Sequence, residues 1–146
     1  MMSNRTVLAI ALSIAAALSA CSTTAAPERA AGTLPSGTAE IALDGALVDT
    51  VHTVKCSTTE AVTTIEAGDE NAGATITVDT SDKPVVRSAE LRAVNGFTGS
   101  AWDGLGPGTD LEITGQTYVL KGAAAGFAED NPSQRITRDF TIKVGC

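Results

Sequence analysis

Apolar and polar residues alternate along several short segments between residue 39 and the C-terminus. Successive side chains of a β-strand point to opposite faces of a sheet, so a period of two predicts half-buried strands. The alternation is clearest over residues 74–78 and 140–146. Short strands joined by glycine-rich turns predict an all-β fold, either a small antiparallel sandwich or a strongly curved sheet.

Turn residues separate these segments. Asn95-Gly96 stands between two apolar segments and favours a tight hairpin, because both residues tolerate a positive φ. Asp44-Gly45 and Gly115-Gln116 mark further turns. The residues before the hairpin, 88–94, are predicted as a strand. One or two turns of helix are the alternative there, since Ala, Glu, Leu and Arg favour helices.

The N-terminus carries a different pattern, an apolar run from Val7 to Ala20. The run has about a dozen residues where roughly 20 are needed to span a bilayer, so it predicts a cleavable export signal over residues 1–20. Small residues stand directly before Cys21, as in the signals of bacterial lipoproteins. Cleavage before Cys21 and acylation of its sulfur are therefore predicted. The alternative is an ordinary secretory signal with a chance cysteine nearby.

Residues 21–38 have no apolar periodicity and consist largely of Ala, Ser, Thr, Pro and Gly. This composition predicts a flexible, disordered tether that joins the lipidated cysteine to a globular β domain over residues 39–146. Hydroxyl side chains near proline are candidates for O-linked sugars. The candidates are Ser22, Thr23, Thr24, Thr33, Ser36 and Thr38. An unmodified linker is the alternative.

The charge balance is acidic, and removal of the signal would make it more so. The chain has 10 Lys and Arg residues against 17 Asp and Glu, and cleavage would remove one of the cations, Arg5. Nucleic acids and anionic lipid surfaces recruit clusters of Lys and Arg, so neither is expected as a partner. Attachment to the membrane would come from acyl chains on Cys21, each buried methylene contributing about 0.8 kcal/mol.

Cys56 and Cys146 remain once Cys21 is assigned to lipid. An even pair of cysteines in an exported, oxidising setting predicts a disulfide. Closing a loop of about 90 residues would stabilise the fold by roughly 4 to 5 kcal/mol on the chain-entropy model. His52, the single histidine, precedes Cys56 by four residues in a segment predicted as strand, where four residues span roughly 13 Å. A catalytic Cys–His pair is therefore not expected.

Other polar groups do not match a site for catalysis, a cofactor or a metal. Residues 79–82 lack the glycine and the terminal glutamate of a calcium loop, and one histidine with two separated cysteines cannot supply a zinc tetrad. The glycine-rich segment 104–108 has no following lysine, so it is predicted as a mobile loop and not as a phosphate-binding loop. No catalytic, cofactor-binding or metal-binding residues are predicted, and the protein is not expected to be an enzyme.

Small side chains at core positions support a second functional hypothesis. A sheet that curls around an apolar cavity could carry a lipid or glycolipid, although domains of this size usually fill their interior. The residues expected to leave space are Ala74, Ala89, Ala93, Gly122, Ala123, Ala124, Ala125 and Gly126.

Three longer segments resemble a known family. They are VKCSTTEAVTTIEAG, ELRAVNGFTG and YVLKGAAAGFAEDNPSQRITRDFTIKVGC. Together with the lipoprotein signal and the Thr- and Ala-rich tether, they resemble the mycobacterial nineteen-kilodalton lipoprotein antigen family, the LpqH type. The likeness covers essentially the whole chain, although the tether is shorter and residues 69–71 and 102–110 depart from the family pattern.

The resemblance implies a cell-envelope lipoprotein of the surface-antigen type in an actinobacterium, with no established enzymatic activity. It would be acylated on Cys21 and held outside the cytoplasm by that lipid anchor. Its β domain would serve a structural or interaction role, with an envelope component or a host receptor as the partner. In pathogenic members of that family the acylated N-terminus is an agonist of Toll-like receptor 2, which makes the same activity an expectation here.

Overall fold

Ten strands follow one another along residues 28–146, the part of the chain that the computed structural model describes. Their bounds are Thr38–Leu43 (β1), Ala46–Val51 (β2), Val54–Thr59 (β3), Val62–Gly68 (β4), Gly73–Asp79 (β5), Val85–Val94 (β6), Phe97–Trp102 (β7), Thr109–Thr114 (β8), Thr117–Ala128 (β9) and Asn131–Gly145 (β10). Among these residues there is no helix with the length and apolar character needed to cross a membrane. The predicted signal, Cys21, Ser22, Thr23 and Thr24 lie outside the described residues.

All ten strands belong to one antiparallel sheet with the order β2-β1-β10-β9-β7-β6-β5-β4-β3, and β8 also pairs with β9. β9 pairs with β8 along its first half and with β7 near its end, while β10 runs along its other edge. The two end strands, β2 and β3, are consecutive in the chain and are joined by residues 52 and 53. The sheet therefore curves until its ends approach each other. The all-β prediction is confirmed, in its form of a strongly curved sheet.

The alternating apolar residues fill the inside of this curved sheet. In β1, β5 and the second half of β10 every second side chain is buried, as the alternation over 74–78 and 140–146 predicts. Phe97 and Phe140 are the two buried aromatic residues, and each is at most 2% exposed. Burying a Val, Leu, Ile or Phe side chain contributes about 1.5–3 kcal/mol, so this interior provides the main driving force for folding.

The Asn95-Gly96 turn forms the predicted hairpin. Its two residues have φ values of 47° and 76°, the left-handed conformation that matches a two-residue turn to the twist of its strands. Val94 and Phe97 pair across the turn, and each is 1% exposed. The preceding segment is the strand β6, and the helical alternative is wrong. Pairing with β5 and burial of the inward side chains outweigh the helix preference of its residues.

The connection between β2 and β3 corrects one prediction. His52 is predicted within a strand, but it lies in a bend between Val51 and Val54 and is exposed. The extended run is interrupted because β2 pairs with β1 whereas β3 pairs with β4, so the chain must pass from one end of the sheet to the other. The Thr53 carbonyl accepts a hydrogen bond from the Gly68 amide at 2.8 Å, which holds the bend against the end of β4.

The last residues of the segment predicted as tether contact the β domain. The Leu34 amide donates to Thr117 Oγ1 at 3.0 Å, and the Gly37 amide donates to the Gly145 carbonyl at 2.9 Å. Leu34 is half-buried and Thr117 is 1% exposed. Within the described residues, the chain is therefore attached to the domain from Leu34 onward, and β1 begins at Thr38.

Candidate functional site

A disulfide joins Cys56 in β3 to Cys146, the residue that follows β10. The two Cα atoms are 5.9 Å apart, within the usual range for a disulfide, and the cysteines are 90 positions apart in sequence. The Cys146 amide also donates to the Gln116 carbonyl at 2.8 Å. The predicted bridge is confirmed. It links the end strand β3 to the end of β10, which lies two strands in from the opposite end of the sheet, and so closes the curved sheet covalently.

Three of the candidate glycosylation residues lie among the described residues. Ser36 is exposed in the turn before β1. Thr33 is half-buried, and its hydroxyl donates to the Ala30 carbonyl at 2.6 Å. Thr38 is half-buried as the first residue of β1. Of these three hydroxyls, that of Ser36 is the most open to a modifying enzyme.

A groove runs along the outer face of the sheet, beside the connection between β7 and β8. It encloses about 490 Å³, a volume within the usual range of small-molecule sites. The residues that line it, and that define the outer groove from here on, are Ser100, Ala101, Trp102, Leu105, Gly106, Pro107, Ala123, Ala125, Arg135 and Thr137.

Small side chains form the floor of the outer groove. Ala125 pairs with Ser100 of β7 on one side and with Thr137 of β10 on the other. Ala124 is fully buried in the core, so its neighbours Ala123 and Ala125 point to the outer face of the sheet. This corrects the prediction that all three alanines leave space inside the sheet, because two of them leave space outside it.

Four of the other small residues expected to leave an internal space are used for close packing. Ala74 and Ala89 are fully buried within the core cluster. A Cβ at Gly122 would lie 3.0 Å from the ring of Phe140, and a Cβ at Gly126 would overlap the backbone of β7. At these positions a neighbouring ring, core side chains or backbone occupies the space that a larger side chain would need.

Trp102 and Leu105 form an apolar wall of the outer groove, and both are unusually exposed for large hydrophobic residues, at 47% and 71%. The Leu105 amide donates to the Trp102 carbonyl at 3.1 Å, and Trp102 Nε1 donates to Ser100 Oγ at 3.1 Å. Gly104 and Gly106 have φ values of 77° and 86°, which L side chains rarely adopt. These glycines let the chain turn tightly enough to present Leu105 beside the sheet.

Arg87 fixes the start of this connection. Its Nη1 donates to Asp103 Oδ2 at 2.6 Å, and its Nη2 donates to Asp79 Oδ2 at 2.8 Å. The Asp103 amide donates in turn to the Arg87 carbonyl at 2.9 Å. Hydrogen bonds from the side chain and backbone of Ser81, and then from Arg87, hold the pKa of the Asp79 carboxyl well below its usual range. Exposed ion pairs contribute little to stability, so the main effect of this network is to position the connection.

Arg135 is the one charged side chain among the residues that line the outer groove. Arg135 lies in a bulge of β10. The six residues from Asn131 to Ile136 are paired there with only three residues of β9, Gly126 to Ala128. The ion pairs found within residues 28–146 involve Arg87 and Arg138 but not Arg135. The groove therefore combines an apolar wall, a floor of small residues and an unpaired cation.

The outer groove is not visible in the sequence. Its residues come from β7, the following connection, β9 and β10, and the pairing of these strands cannot be read from local patterns. The one local signal is the presence of Trp102 and Leu105 in a segment rich in glycine, where no alternating partner predicts their burial.

The fold and the disulfide define the class of the protein, a small all-β domain of the kind found in exported proteins. Comparison with known families narrows this class. Residues 32–146 match the Mycobacterium 19 kDa lipoprotein antigen family. The chain belongs to this family, and the resemblance stated from the sequence is confirmed.

Individual relatives agree with the family match. The chain is 35% identical over 147 residues to a predicted lipoprotein of Mycobacterium avium subsp. hominissuis, covering 99% of this chain and 97% of the relative. It is 36% identical over 146 residues to a predicted lipoprotein of Mycobacterium indicus pranii, covering 99% and 100%. It is 30% identical over 148 residues to the predicted lipoprotein LppE of Mycobacterium tuberculosis, again covering 99% and 100%.

Proposed function

We propose that the protein is a lipid-anchored lipoprotein of the cell envelope, acylated on Cys21, whose β domain acts through binding and not through catalysis. The observation that carries the proposal is the extent of the family likeness. The relatives named as lipoproteins align over 99% of this chain, so the likeness includes the apolar run and the cysteine that follows it. A polar tether and an acidic domain offer no other means of attachment.

The non-catalytic role is supported by the state of the groups that most often act in catalysis. Cys56 is consumed by the disulfide, and His52 is exposed in a bend. The Asp79 carboxylate, at the end of β5, accepts hydrogen bonds from Arg87 and Ser81, which hold its pKa below the usual range. Activity-based labelling of the purified protein tests this role. Labelling of the chain that is lost on substitution of Asp79 or His52 would contradict it.

Substitution of Cys21 tests the anchor. The wild-type chain is expressed in a mycobacterial host with an alkyne-bearing palmitate and partitioned with Triton X-114, beside Cys21→Ser. The matched control is Ser22→Ala, which changes a neighbouring hydroxyl and keeps the thiol. Wild type and control should carry label and enter the detergent phase, whereas Cys21→Ser should carry no label. Label retained on Cys21→Ser would place the acyl chain elsewhere and contradict the proposal.

Agonism of Toll-like receptor 2 is the finer part of the proposal, supported by membership of the 19 kDa lipoprotein antigen family. The active part would be the acylated N-terminus. Reporter cells that express the receptor should respond to the acylated protein purified from a mycobacterium and not to Cys21→Ser. A response of equal size to both proteins, or to neither, would contradict this activity.

A further inference from the structure

We propose that the outer groove binds the aliphatic chain of a free long-chain fatty acid, with the carboxylate of the ligand paired to Arg135. This site lies on the outside of the curved sheet and does not depend on the acyl anchor at Cys21. Its failure would therefore leave the proposed anchoring intact.

The apolar part of the groove suits a hydrocarbon chain. Six of the ten lining residues are apolar, and the two largest, Trp102 and Leu105, are 47% and 71% exposed. A single exposed hydrophobic residue is ordinary, but two that line one groove place adjacent apolar surface where one ligand can cover it. A hydrocarbon chain lying on Ala123 and Ala125 would cover the side chains of Trp102 and Leu105. This would remove their apolar surface from water.

The polar part of the groove suits a single anionic head group. Arg135 is the only charged side chain lining it, and within the described part of the chain no carboxylate forms an ion pair with it. A guanidinium offers two parallel N–H donors that match the two oxygens of a carboxylate. Sugars are recognised through many convergent hydrogen-bonding groups. Besides Arg135, the polar side-chain groups of the groove are Trp102 Nε1 and the hydroxyls of Ser100 and Thr137, and Trp102 Nε1 already donates to Ser100 Oγ. The observations therefore favour a fatty acid over a glycan.

The groove is held open by the protein itself. The Asp103 amide and carboxylate are both bonded to Arg87, which fixes the start of the apolar wall. On the floor, the strand register directs Ala125 outward between Ser100 and Thr137. Since the wall and the floor are positioned by hydrogen bonds of the fold, little reorganisation is required for a chain to enter.

Trp102 makes the proposal directly testable, because it is the only tryptophan in the chain and it lines the groove. The probe is 9,10-dibromostearate, whose bromine atoms quench tryptophan on contact, used below the concentration at which it forms micelles. The protein is the mature chain from residue 21 with Cys21→Ser, so that no covalent acyl chain competes. Saturable quenching is expected, and unbrominated stearate should reverse it.

Two variants separate the roles of the floor and of the cation. Ala125→Leu should fill the groove, and Arg135→Gln should remove the partner of the carboxylate, each weakening binding at least about tenfold. The matched controls are Thr64→Leu, a small-to-large change on the outer face of β4, and Lys143→Gln, a charge loss elsewhere on β10. Both controls should bind as the parent protein does. Circular dichroism establishes that each variant is folded.

Several results would overturn the proposal. The absence of saturable quenching would do so, as would unchanged binding by a folded Ala125→Leu or Arg135→Gln protein. Equal binding of dibromostearate and its methyl ester would remove the role of Arg135. The acylated wild-type protein should bind the probe as well as Cys21→Ser does. Loss of probe binding in the acylated protein would show that its own anchor occupies the groove. A shift in Trp102 emission that is caused by an envelope oligosaccharide but not by stearate would identify a glycan site.

Discussion

Gly126 of β9 lies directly opposite Gly99 of β7, and a Cβ placed on Gly126 would lie 2.5 Å from the Gly99 Cα atom. It would also overlap the carbonyl group of Thr98. This close approach occurs just beyond the point where β9 stops pairing with β8 and begins pairing with β7. The glycine pair thus permits the tight curvature on which the closed shape of the sheet depends.

Gly126→Ala should destabilise the domain by about 2–3 kcal/mol, because the new methyl group meets backbone that cannot rotate away. Gly104→Ala is the comparison, since a Cβ there meets no atom within 4 Å. Its φ of 77° still makes a side chain unfavourable, by about 1 kcal/mol. Urea denaturation followed by circular dichroism measures both. Gly126 has no positive φ, so a loss no larger than that at Gly104 would contradict the role of close approach at Gly126.

Cys146→Ser should lower the free energy of unfolding by roughly 4 kcal/mol, because the disulfide closes a loop of 90 residues. The last residues of β10 should also exchange amide hydrogens faster, since Cys146 is then held only by its hydrogen bond to Gln116. Urea denaturation and hydrogen exchange measure the two effects. The double variant with Cys56→Ser excludes an effect of the freed thiol and should match the single variant. An unchanged urea midpoint would contradict the closure role.

Acid should remove the contribution of Asp79 to stability. Its pKa in the folded protein lies below the ordinary value of 3.8, so the stabilising effect is present above that value and is lost as the pH falls through the folded pKa. Asp79→Asn should therefore be less stable than wild type near about pH 6, and the difference should shrink below about pH 4. Thermal unfolding across this range measures it, with the exposed Asp82→Asn as the control. A difference that grows in acid would contradict the assignment.

Thr117→Val should release the segment before β1. Thr117 Oγ1 accepts the Leu34 amide, and the substitution leaves that amide without its partner, at a cost of about 1 kcal/mol. Amide exchange should rise at residues 34–38 well before it rises in the core of β9. Thr114→Val, at an exposed position in β8, is the matched control. Unchanged exchange at residues 34–38 would show that this hydrogen bond does not hold the segment.

Local patterns determine the strands of this protein but not their arrangement. Alternation places Ile76 and Ile142 inside because each strand obeys its own period of two, and Asn95-Gly96 sets its hairpin by backbone preference alone. The disulfide follows from counting cysteines in an exported chain. The inward placement of Ala123 and Ala125 is wrong because alanine is compatible with either face of a sheet. Their outward orientation depends on the pairing of β9 with β7 and β10, which is a property of the whole chain.

The attachment of Leu34 and Gly37 determines from which pole of the domain the N-terminal segment departs. These residues bind to the start of β9 and the end of β10, beside the Cys56–Cys146 bridge. An anchor upstream of Leu34 would therefore be connected to that pole of the molecule. β10 runs 15 residues away from it to the turns at 95–96 and 129–130, which are joined by a hydrogen bond between the Glu129 amide and the Gly96 carbonyl. Those two turns therefore form the pole of the domain that is farthest from its N-terminal attachment.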